Sequence, residues 1–152
     1  MDIIAYLTRE KVKFEHLRHP EVFTAQEVAA AQHVPGREMI KAILVKSDTD
    51  FALAVLPAVF KINFGKLAKL LGVKKVTLAG EQDLAQVFPD VAVGAEPPFG
   101  NLYNVETVAE EHLLGEQEIV FQAGTHTDAV KMAWADYVKL AAPRVGQFGD
   151  HI

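Results

Sequence analysis

The chain has 152 residues, a formal net charge of −5 and no cysteine, and half of its residues are hydrophobic. This composition is typical of one folded domain with a real core. It excludes disulfides, a thiolate metal site and a cysteine nucleophile, and it argues against nucleic-acid binding through bulk charge, since such proteins are usually basic.

The distribution of apolar residues along the chain indicates the cellular compartment of the protein. No run of about 18 or more apolar residues occurs, so no membrane-spanning helix is predicted. Residues 1–10 are too polar for a signal peptide. We therefore expect a single domain over residues 1–152 that is cytoplasmic and does not contact a membrane.

Apolar periodicity and capping residues predict several short helices. The Thr24-Ala25-Gln26-Glu27 pattern predicts a capping box at the start of one of them, because Thr24 can cap the backbone and Glu27 can reach back to it. Asn63 can cap another, and Gly72 lies just past its end. One short helix is predicted near Ile3. Four others are predicted over residues 24–33, 63–71, 80–87 and 134–140.

Apolar, β-branched stretches at 39–46 and 51–56 flank a polar turn, which predicts a β-hairpin. Further strands are predicted at 13–17, 75–78, 102–105 and 118–123, and residues from Pro143 onward are expected to form a tail. Helices and strands mix without regular alternation. This favours an α+β fold with a mainly antiparallel or mixed sheet flanked by helices.

Several reaction mechanisms lack the residues they need. Ser47 is the only serine, and it lies in the polar hairpin turn rather than in a nucleophile elbow. The sequence contains no His-Glu-x-x-His zinc motif and no glycine-rich nucleotide loop. We expect no metal and no cofactor. A hydrolase built from this chain would activate water, or a hydroxyl of its substrate, without a covalent intermediate.

Lys41 is the most informative single residue. Alternate side chains of a strand share a face, so Lys41 shares its face with Met39, Ile43 and Val45. A lysine on an apolar strand face is costly unless it is paired or borders a cavity. Either Lys41 lies at an edge and extends to solvent, or it is a fixed cation that holds a carbonyl, a phosphate or a developing oxyanion.

Two loops offer further candidates. Residues 94–100 contain two prolines and two glycines, which suits either a tight turn or a rigid wall whose backbone faces a ligand. His126 follows Gly124 in a predicted turn. It is either a hydrogen-bonded surface residue or a group that orients water at neutral pH, and His19 beside Pro20 carries a weaker form of the same hypothesis.

The lysines that cluster in the middle of the chain have two interpretations. They form either a solvated helix face or a local patch that contacts RNA. The cluster comprises Lys61, Lys66, Lys69, Lys74 and Lys75.

A series of short motifs follows one another along the chain in a characteristic order and spacing. They are His19-Pro20, FTAQE at 23–27, VPG at 34–36, IKAILVK at 40–46, AVLP at 54–57, KLAKLLG at 66–72, GAEPPFG at 94–100 and GTH at 124–126. Together they resemble the YbaK/prolyl-tRNA-synthetase-associated domain family. The resemblance covers residues 16–140 and rests on the order and spacing of the motifs rather than on any one of them.

This resemblance implies a fold and an activity. The implied fold is α+β, with a strongly curved mixed sheet flanked by helices. The implied activity is that of a free-standing, trans-editing aminoacyl-tRNA deacylase, which hydrolyses the ester between a wrong small amino acid and the terminal adenosine of tRNA. Such editing is needed because a hydrophobic pocket discriminates one methylene by only about 1–3 kcal/mol.

The resemblance also assigns roles by position. Lys41 matches the family's essential lysine, and Gly94 and Pro98 match its Gly-x-x-x-Pro substrate loop. His126 matches a glycine-associated histidine, so Lys41 and His126 are the candidate catalytic residues. The other candidate substrate-binding residues lie near these motifs and are Phe23, Met39, Pro97, Phe99, Gly100 and Gly124.

The expected partner is the 3′ end of a mischarged aminoacyl-tRNA. Because the chain is acidic, we expect weak, salt-sensitive binding to free tRNA and delivery by a synthetase or an elongation factor. Three alternatives remain: a non-catalytic module that binds tRNA or a synthetase, a hydrolase of another small ester or amide, and a DNA-binding protein. The acidic balance and the lack of a basic recognition helix argue against specific DNA binding.

Overall fold

A computed structural model describes residues 2–21, 35–48 and 50–152. Its α-helices are α1 (Ile3–Arg9), α2 (Phe64–Leu71), α3 (Glu81–Val87) and α4 (Trp134–Ala141), with two 3₁₀ helices at Gly100–Tyr103 and Glu111–Gly115. Its strands are β1 (Phe14–Arg18), β2 (Ile40–Lys46), β3 (Phe51–Pro57), β4 (Phe60–Ile62), β5 (Thr77–Leu78), β6 (Glu106–Glu110), β7 (Glu118–Gln122), β8 (Asp128–Ala133), β9 (Arg144–Gly146) and β10 (Gly149–His151). Among the described helices, none is long and apolar enough to cross a membrane.

The largest sheet is mixed. Its strand order is β5-β2-β3-β6-β9, with β5, β2 and β3 antiparallel and β3, β6 and β9 parallel. The predicted hairpin forms its centre, with Lys41 opposite Leu56. Strand β3 is buried on both faces, as Leu53 and Val55 pack into one apolar cluster and Ala54 and Leu56 into another.

A second, antiparallel sheet has the order β1-β8-β7. It meets the start of β2 at a parallel bridge between Met39 and Val120, where the Val120 N–H donates to the Glu38 carbonyl at 2.9 Å. Strands β4 and β10 form a separate two-stranded ribbon. The α+β class with mixed and antiparallel sheets flanked by helices is therefore confirmed.

Local signals predicted several elements correctly. Asn63 caps α2, because its Oδ1 accepts a hydrogen bond from the Lys66 N–H at 3.0 Å. Gly72 ends this helix in the left-handed region, with φ of 71°. Helices α1, α3 and α4 and strands β1, β2, β3, β5 and β7 also lie where they were predicted, within a few residues.

Two predictions were wrong. Residues 102–105 do not form a strand, because the chain makes a 3₁₀ helix, turns through Asn104 at φ of 59° and enters β6 only at Glu106. The C-terminal residues are not a tail, since they form β9 and β10 and bury Phe148 completely. The helix predicted at 24–33 lies outside the described residues.

Candidate active site

A cavity of about 560 Å³ opens beside strand β2. This volume lies within the range of small-molecule sites. The lining of the cavity comes from strand β2, from the loop residues Val93, Gly94 and Glu96, from the end of β7 and from the β5–α3 region. The lining residues are Ile40, Lys41, Ala42, Ile43, Leu44, Ala58, Leu78, Ala79, Leu84, Val93, Gly94, Glu96 and Gln122.

Lys41 brings a cation into this cavity. Its side chain is half-buried on β2, and its Nζ donates to the Ala58 carbonyl at 3.4 Å. Within the described ranges, no carboxylate oxygen lies within 4 Å of this ammonium. Burial lowers the pKa of Lys41, because a charged ammonium loses solvation there. A ligand oxygen would therefore meet a cation to which the described part of the chain offers one long hydrogen bond.

A second part of the cavity lining is a loop with a fixed backbone. Gly94 has a φ of 88°, a conformation that L side chains rarely adopt. The Ala95 N–H donates to the Ala92 carbonyl at 2.9 Å. Two hydrogen bonds join the loop to the turn after β7. The Gly124 N–H donates to the Ala95 carbonyl, and the Gly124 carbonyl accepts from the Ala92 N–H. The loop is therefore a rigid wall.

Glu96 places a carboxyl group in this wall. Only 6% of the residue is exposed, and its Oε2 accepts from the Gly94 N–H at 2.7 Å. Burial raises the pKa of Glu96. Backbone hydrogen bonds around the loop and the nearby His126 act in the opposite direction but do not cancel the effect of burial.

Gln122, at the end of β7, adds a second polar side chain to the same wall. It is 6% exposed, and its Nε2 donates to the Gly94 carbonyl at 3.3 Å. Its Oε1 is buried and has no hydrogen-bond partner among residues 2–21, 35–48 and 50–152. A buried acceptor of this kind is costly unless a ligand or water supplies a donor.

His126 lies behind the loop and does not line the cavity. Its Nε2 is 2.8 Å from the Val93 carbonyl. Because a carbonyl only accepts hydrogen bonds, this nitrogen carries the proton and donates. The structure therefore connects His126 to the cavity through the backbone of the loop.

The predicted residues that follow Glu96 lie in the core beneath the loop. Phe99 is fully buried and packs edge-on against the rings of Tyr6, Phe121 and Tyr137. The Pro98 carbonyl accepts from the Tyr137 hydroxyl at 2.7 Å. Pro97 is also buried. These residues support the wall without being among those that line the cavity.

Gly100 and Met39 are likewise buried. The Gly100 N–H donates to Thr107 Oγ1 at 2.9 Å. Met39 is fully buried, and its carbonyl accepts from the Ala58 N–H at 2.7 Å, which places the Ala58 carbonyl near Lys41. Phe23 lies outside the described residues.

Sequence reasoning missed Glu96, Gln122 and the Ala58 carbonyl. One signal for Glu96 was available, because it is the only charged residue in the run from Val91 to Gly100. Gln122 similarly follows the apolar residues 119–121. A polar residue in an apolar stretch becomes informative only when the fold shows that it faces a cavity.

The fold and this cavity define an α+β domain with a ligand-sized site lined by the Lys41 ammonium and a polar loop. The family profile described as the aminoacyl-tRNA editing domain matches residues 19–140. The chain belongs to this family, and the resemblance seen in its motifs is confirmed.

Relatives of known name support this assignment. A protein named multifunctional Ser/Thr-tRNA deacylase ProXp-y, from Escherichia coli strain K12, is 27% identical over 151 residues, covering 96% of this chain and 90% of that protein. A proline–tRNA ligase from Leuconostoc mesenteroides is 28% identical over 148 residues, covering 93% of this chain. The chain spans 25% of that ligase's length.

A solved structure shows the same fold. It is described as that of a proposed trans-editing enzyme for prolyl tRNA synthetase, and it superposes with a TM-score of 0.84. The match covers 98% of this chain and 95% of the other, at 20% sequence identity. At this identity the likeness concerns the fold alone.

Proposed function

We propose that this protein is a trans-editing aminoacyl-tRNA deacylase, with residues 1–152 forming one editing domain. It hydrolyses the ester that links a wrong, small amino acid to the terminal adenosine of tRNA. The observation that carries the proposal is the half-buried ammonium of Lys41, which faces a cavity in a chain of the editing-domain family. The relative named as a Ser/Thr-tRNA deacylase, which aligns over almost its whole length, supports the same activity.

The reaction needs no covalent enzyme intermediate. A water oxygen bonds to the ester carbonyl carbon, and the carbonyl oxygen becomes an oxyanion next to Lys41 Nζ. The bond from this carbon to the ribose oxygen then breaks. The ribose oxygen gains the proton that water loses, so the products are a free amino acid and a tRNA with a free hydroxyl. Lys41 stabilises the charge that develops in the transition state.

The rest of the cavity suits an aminoacyl-adenosine end. Ile40, Ala42 and Leu84 provide apolar lining for a small side chain. Leu78 and Val93 line the same cavity although they are 60% and 51% exposed, so they offer apolar contact to the sugar or base at its mouth. The rigid loop at Gly94 sets the depth of the pocket.

The buried residues Pro97, Pro98, Phe99 and Gly100 contribute by fixing the loop. His126 contributes in the same way, through its hydrogen bond to the Val93 carbonyl. We therefore assign His126 a positioning role in the reaction, and Lys41 the direct contact with the ester. Met39 positions the Ala58 carbonyl near Lys41, and Gly124 clamps the loop.

The negative net charge of the protein affects how the tRNA substrate reaches it. A net charge of −5 gives little attraction to a polyanion, so a synthetase or an elongation factor is the proposed carrier of the mischarged tRNA. The cytoplasm, where aminoacyl-tRNA is made and used, is the proposed location.

Deacylation of a panel of mischarged tRNAs tests the function. The panel pairs alanine, cysteine, serine and threonine with tRNA for proline and with their own tRNAs. Wild type is expected to release one or two of these amino acids. Lys41→Ala is expected to lower kcat by about 10²–10³-fold, as the loss of an oxyanion donor does.

Lys46→Ala is the matched control. Lys46 lies on the same strand, but its ammonium pairs with Asp83 at 3.5 Å and it does not line the cavity. This variant should keep wild-type activity. Release that survives Lys41→Ala at near wild-type rate would contradict the proposed role of Lys41. No release by wild type from any member of the panel would contradict the proposed function itself.

A further inference from the structure

Two side chains that carry hydrogen-bond acceptors line the loop side of the cavity. Glu96 carries a carboxyl group, and Gln122 carries Oε1, which is buried. Both side chains converge on Gly94, since Glu96 accepts from its N–H at 2.7 Å and Gln122 donates to its carbonyl at 3.3 Å. Gly94 thus holds the two groups side by side.

The orientation of the Gln122 amide follows from its partner. The Gly94 carbonyl can only accept, so the amide nitrogen must face it and Oε1 must point away. This oxygen is buried and unpartnered within the described ranges, and the side chain lines the cavity. A ligand group that donated a hydrogen bond to this oxygen would remove the cost of burying it unpaired.

Strand β2 contributes a side chain of the opposite character to the same cavity. Lys41 presents three N–H donors and no acceptor. A ligand that satisfies both kinds of side chain has an acceptor at one end and a donor, preferably a cationic one, at the other. An aminoacyl ester has this arrangement, with its carbonyl oxygen on one side of the α-carbon and its ammonium group on the other.

We infer that Glu96 and Gln122 bind the α-ammonium group of the esterified amino acid and so make the free amino group a requirement for hydrolysis. This inference rests on the proposed deacylase function. The ammonium would give one N–H to the Glu96 carboxylate and another to Gln122 Oε1, while the ester carbonyl faces Lys41. Esters whose α-amino group is acylated or replaced would be excluded.

A general-base role for Glu96 is the competing interpretation. Burial raises the pKa of Glu96, which also suits a base that takes a proton from water. A water activated by Glu96 could also donate its second hydrogen to Gln122 Oε1, so the two acceptors alone do not exclude this role. A bound cation is favoured because a positive charge compensates a buried carboxylate, whereas a neutral water does not.

Two esters that differ only at the α-position separate these interpretations. The first is the tRNA ester of the amino acid that the panel identifies. The second is the ester of the corresponding α-hydroxy acid on the same tRNA, which replaces the ammonium with a neutral hydroxyl of similar size. Each enzymatic kcat/KM is divided by that ester's own uncatalysed rate, since the ammonium itself activates the ester.

Glu96→Gln and Gln122→Met test the two acceptors. Glu96→Gln keeps an oxygen for the Gly94 N–H but removes the charge. Gln122→Met keeps the length of the side chain but removes Oε1, together with the Nε2 hydrogen bond to the Gly94 carbonyl. We expect wild type to prefer the amino ester, and each variant to lose about 10- to 100-fold on it, the range for a hydrogen bond to a charged group. The loss on the hydroxy ester should be much smaller.

Activity on the hydroxy ester also reports that each variant is folded. Glu118→Gln, on the same strand as Gln122 but exposed and paired with Lys131, is the matched control and should behave as wild type. Equal losses on both esters would overturn the inference in favour of a general base. Equal use of both esters by wild type would overturn it while leaving the deacylase function intact, and inactivity on both would remove the function on which it rests.

Discussion

At the scale of single residues, the cavity depends on buried groups that support it from behind. Gly100 is the clearest case. A Cβ built at this position would lie 2.6 Å from the Val105 carbonyl oxygen and 2.7 Å from Thr107 Oγ1. The first atom belongs to the backbone of the residue just before β6 and the second to a buried side chain of β6, so moving them disturbs the sheet. Only glycine fits here.

Gly100→Ala should therefore destabilise the protein by about 1–3 kcal/mol, the usual cost of overpacking a core. Urea unfolding followed by far-UV circular dichroism measures this loss. Gly115→Ala is the control, because a Cβ at Gly115 would meet no atom within 4 Å. Unchanged stability of Gly100→Ala would show that the loop shifts freely, contrary to the rigid wall described above.

The residue scale also shows what sequence could predict about the site. Lys41 was identifiable because strand alternation places a charge among apolar neighbours. Glu96 and Gln122 were not, since their importance depends on Gly94 joining a loop to the end of a distant strand. The sequence also made His126 a candidate, but its contact with the Val93 carbonyl could not be inferred from a turn motif.

At the scale of elements, the predictions that succeeded rest on local signals. The hairpin of β2 and β3 and the capped helix α2 each depend on residues that are close in sequence. The C-terminal segment carries no such signal. Strand β9 pairs with β6, β10 pairs with β4, and Phe148 fills the cluster around Leu56 and Leu67. Only partners distant in sequence make these residues ordered.

Glu110 is the residue that anchors this segment. It is fully buried, and its Oε2 accepts from the backbone N–H groups of Phe148 and Gly149 at 2.7 and 2.6 Å. Its Oε1 lies 2.5 Å from His112 Nδ1. Burial alone would raise the pKa of Glu110, but these hydrogen bonds outweigh it and hold the pKa below the usual 4.5.

A carboxyl with a lowered pKa stabilises the fold above its unfolded-state pKa, and this stability is lost as the pH falls through the folded value. Glu110→Gln should therefore cost about 1.5–3 kcal/mol near neutral pH. The difference from wild type should shrink in acid, where Glu110 is also uncharged. Urea unfolding from about pH 7 to about pH 3 measures both effects.

Glu111→Gln removes an adjacent, exposed carboxyl and should change stability by less than about 0.5 kcal/mol. A cost of Glu110→Gln that stays constant down to the lowest pH would contradict the charged hydrogen bonds. It would instead assign the cost to altered packing in the variant.

At the scale of the whole molecule, the acidic charge and the lysine cluster have opposite consequences for tRNA. The cluster is not uniform. Lys66 is engaged by Asp150, with 3.2 Å between Nζ and Oδ1. Lys74 and Lys75 are exposed and shortly precede Leu78, which lines the cavity. We therefore choose these two lysines as the members of the cluster to test for contact with phosphates next to a 3′ end bound in the cavity.

Binding to uncharged tRNA should accordingly be weak, roughly 10⁻⁴–10⁻⁶ M, and should fall as salt rises, because each neutralised phosphate releases counterions. Replacing Lys74 and Lys75 with alanine should reduce the slope of log affinity against log salt by about one to two. Lys13 and Lys139, replaced together, are the charge-matched control, since neither is near the cavity lining in sequence. Lys41→Ala should leave the slope unchanged, because Lys41 is assigned to the ester carbonyl. A reduced slope in Lys41→Ala would instead place this lysine on a phosphate.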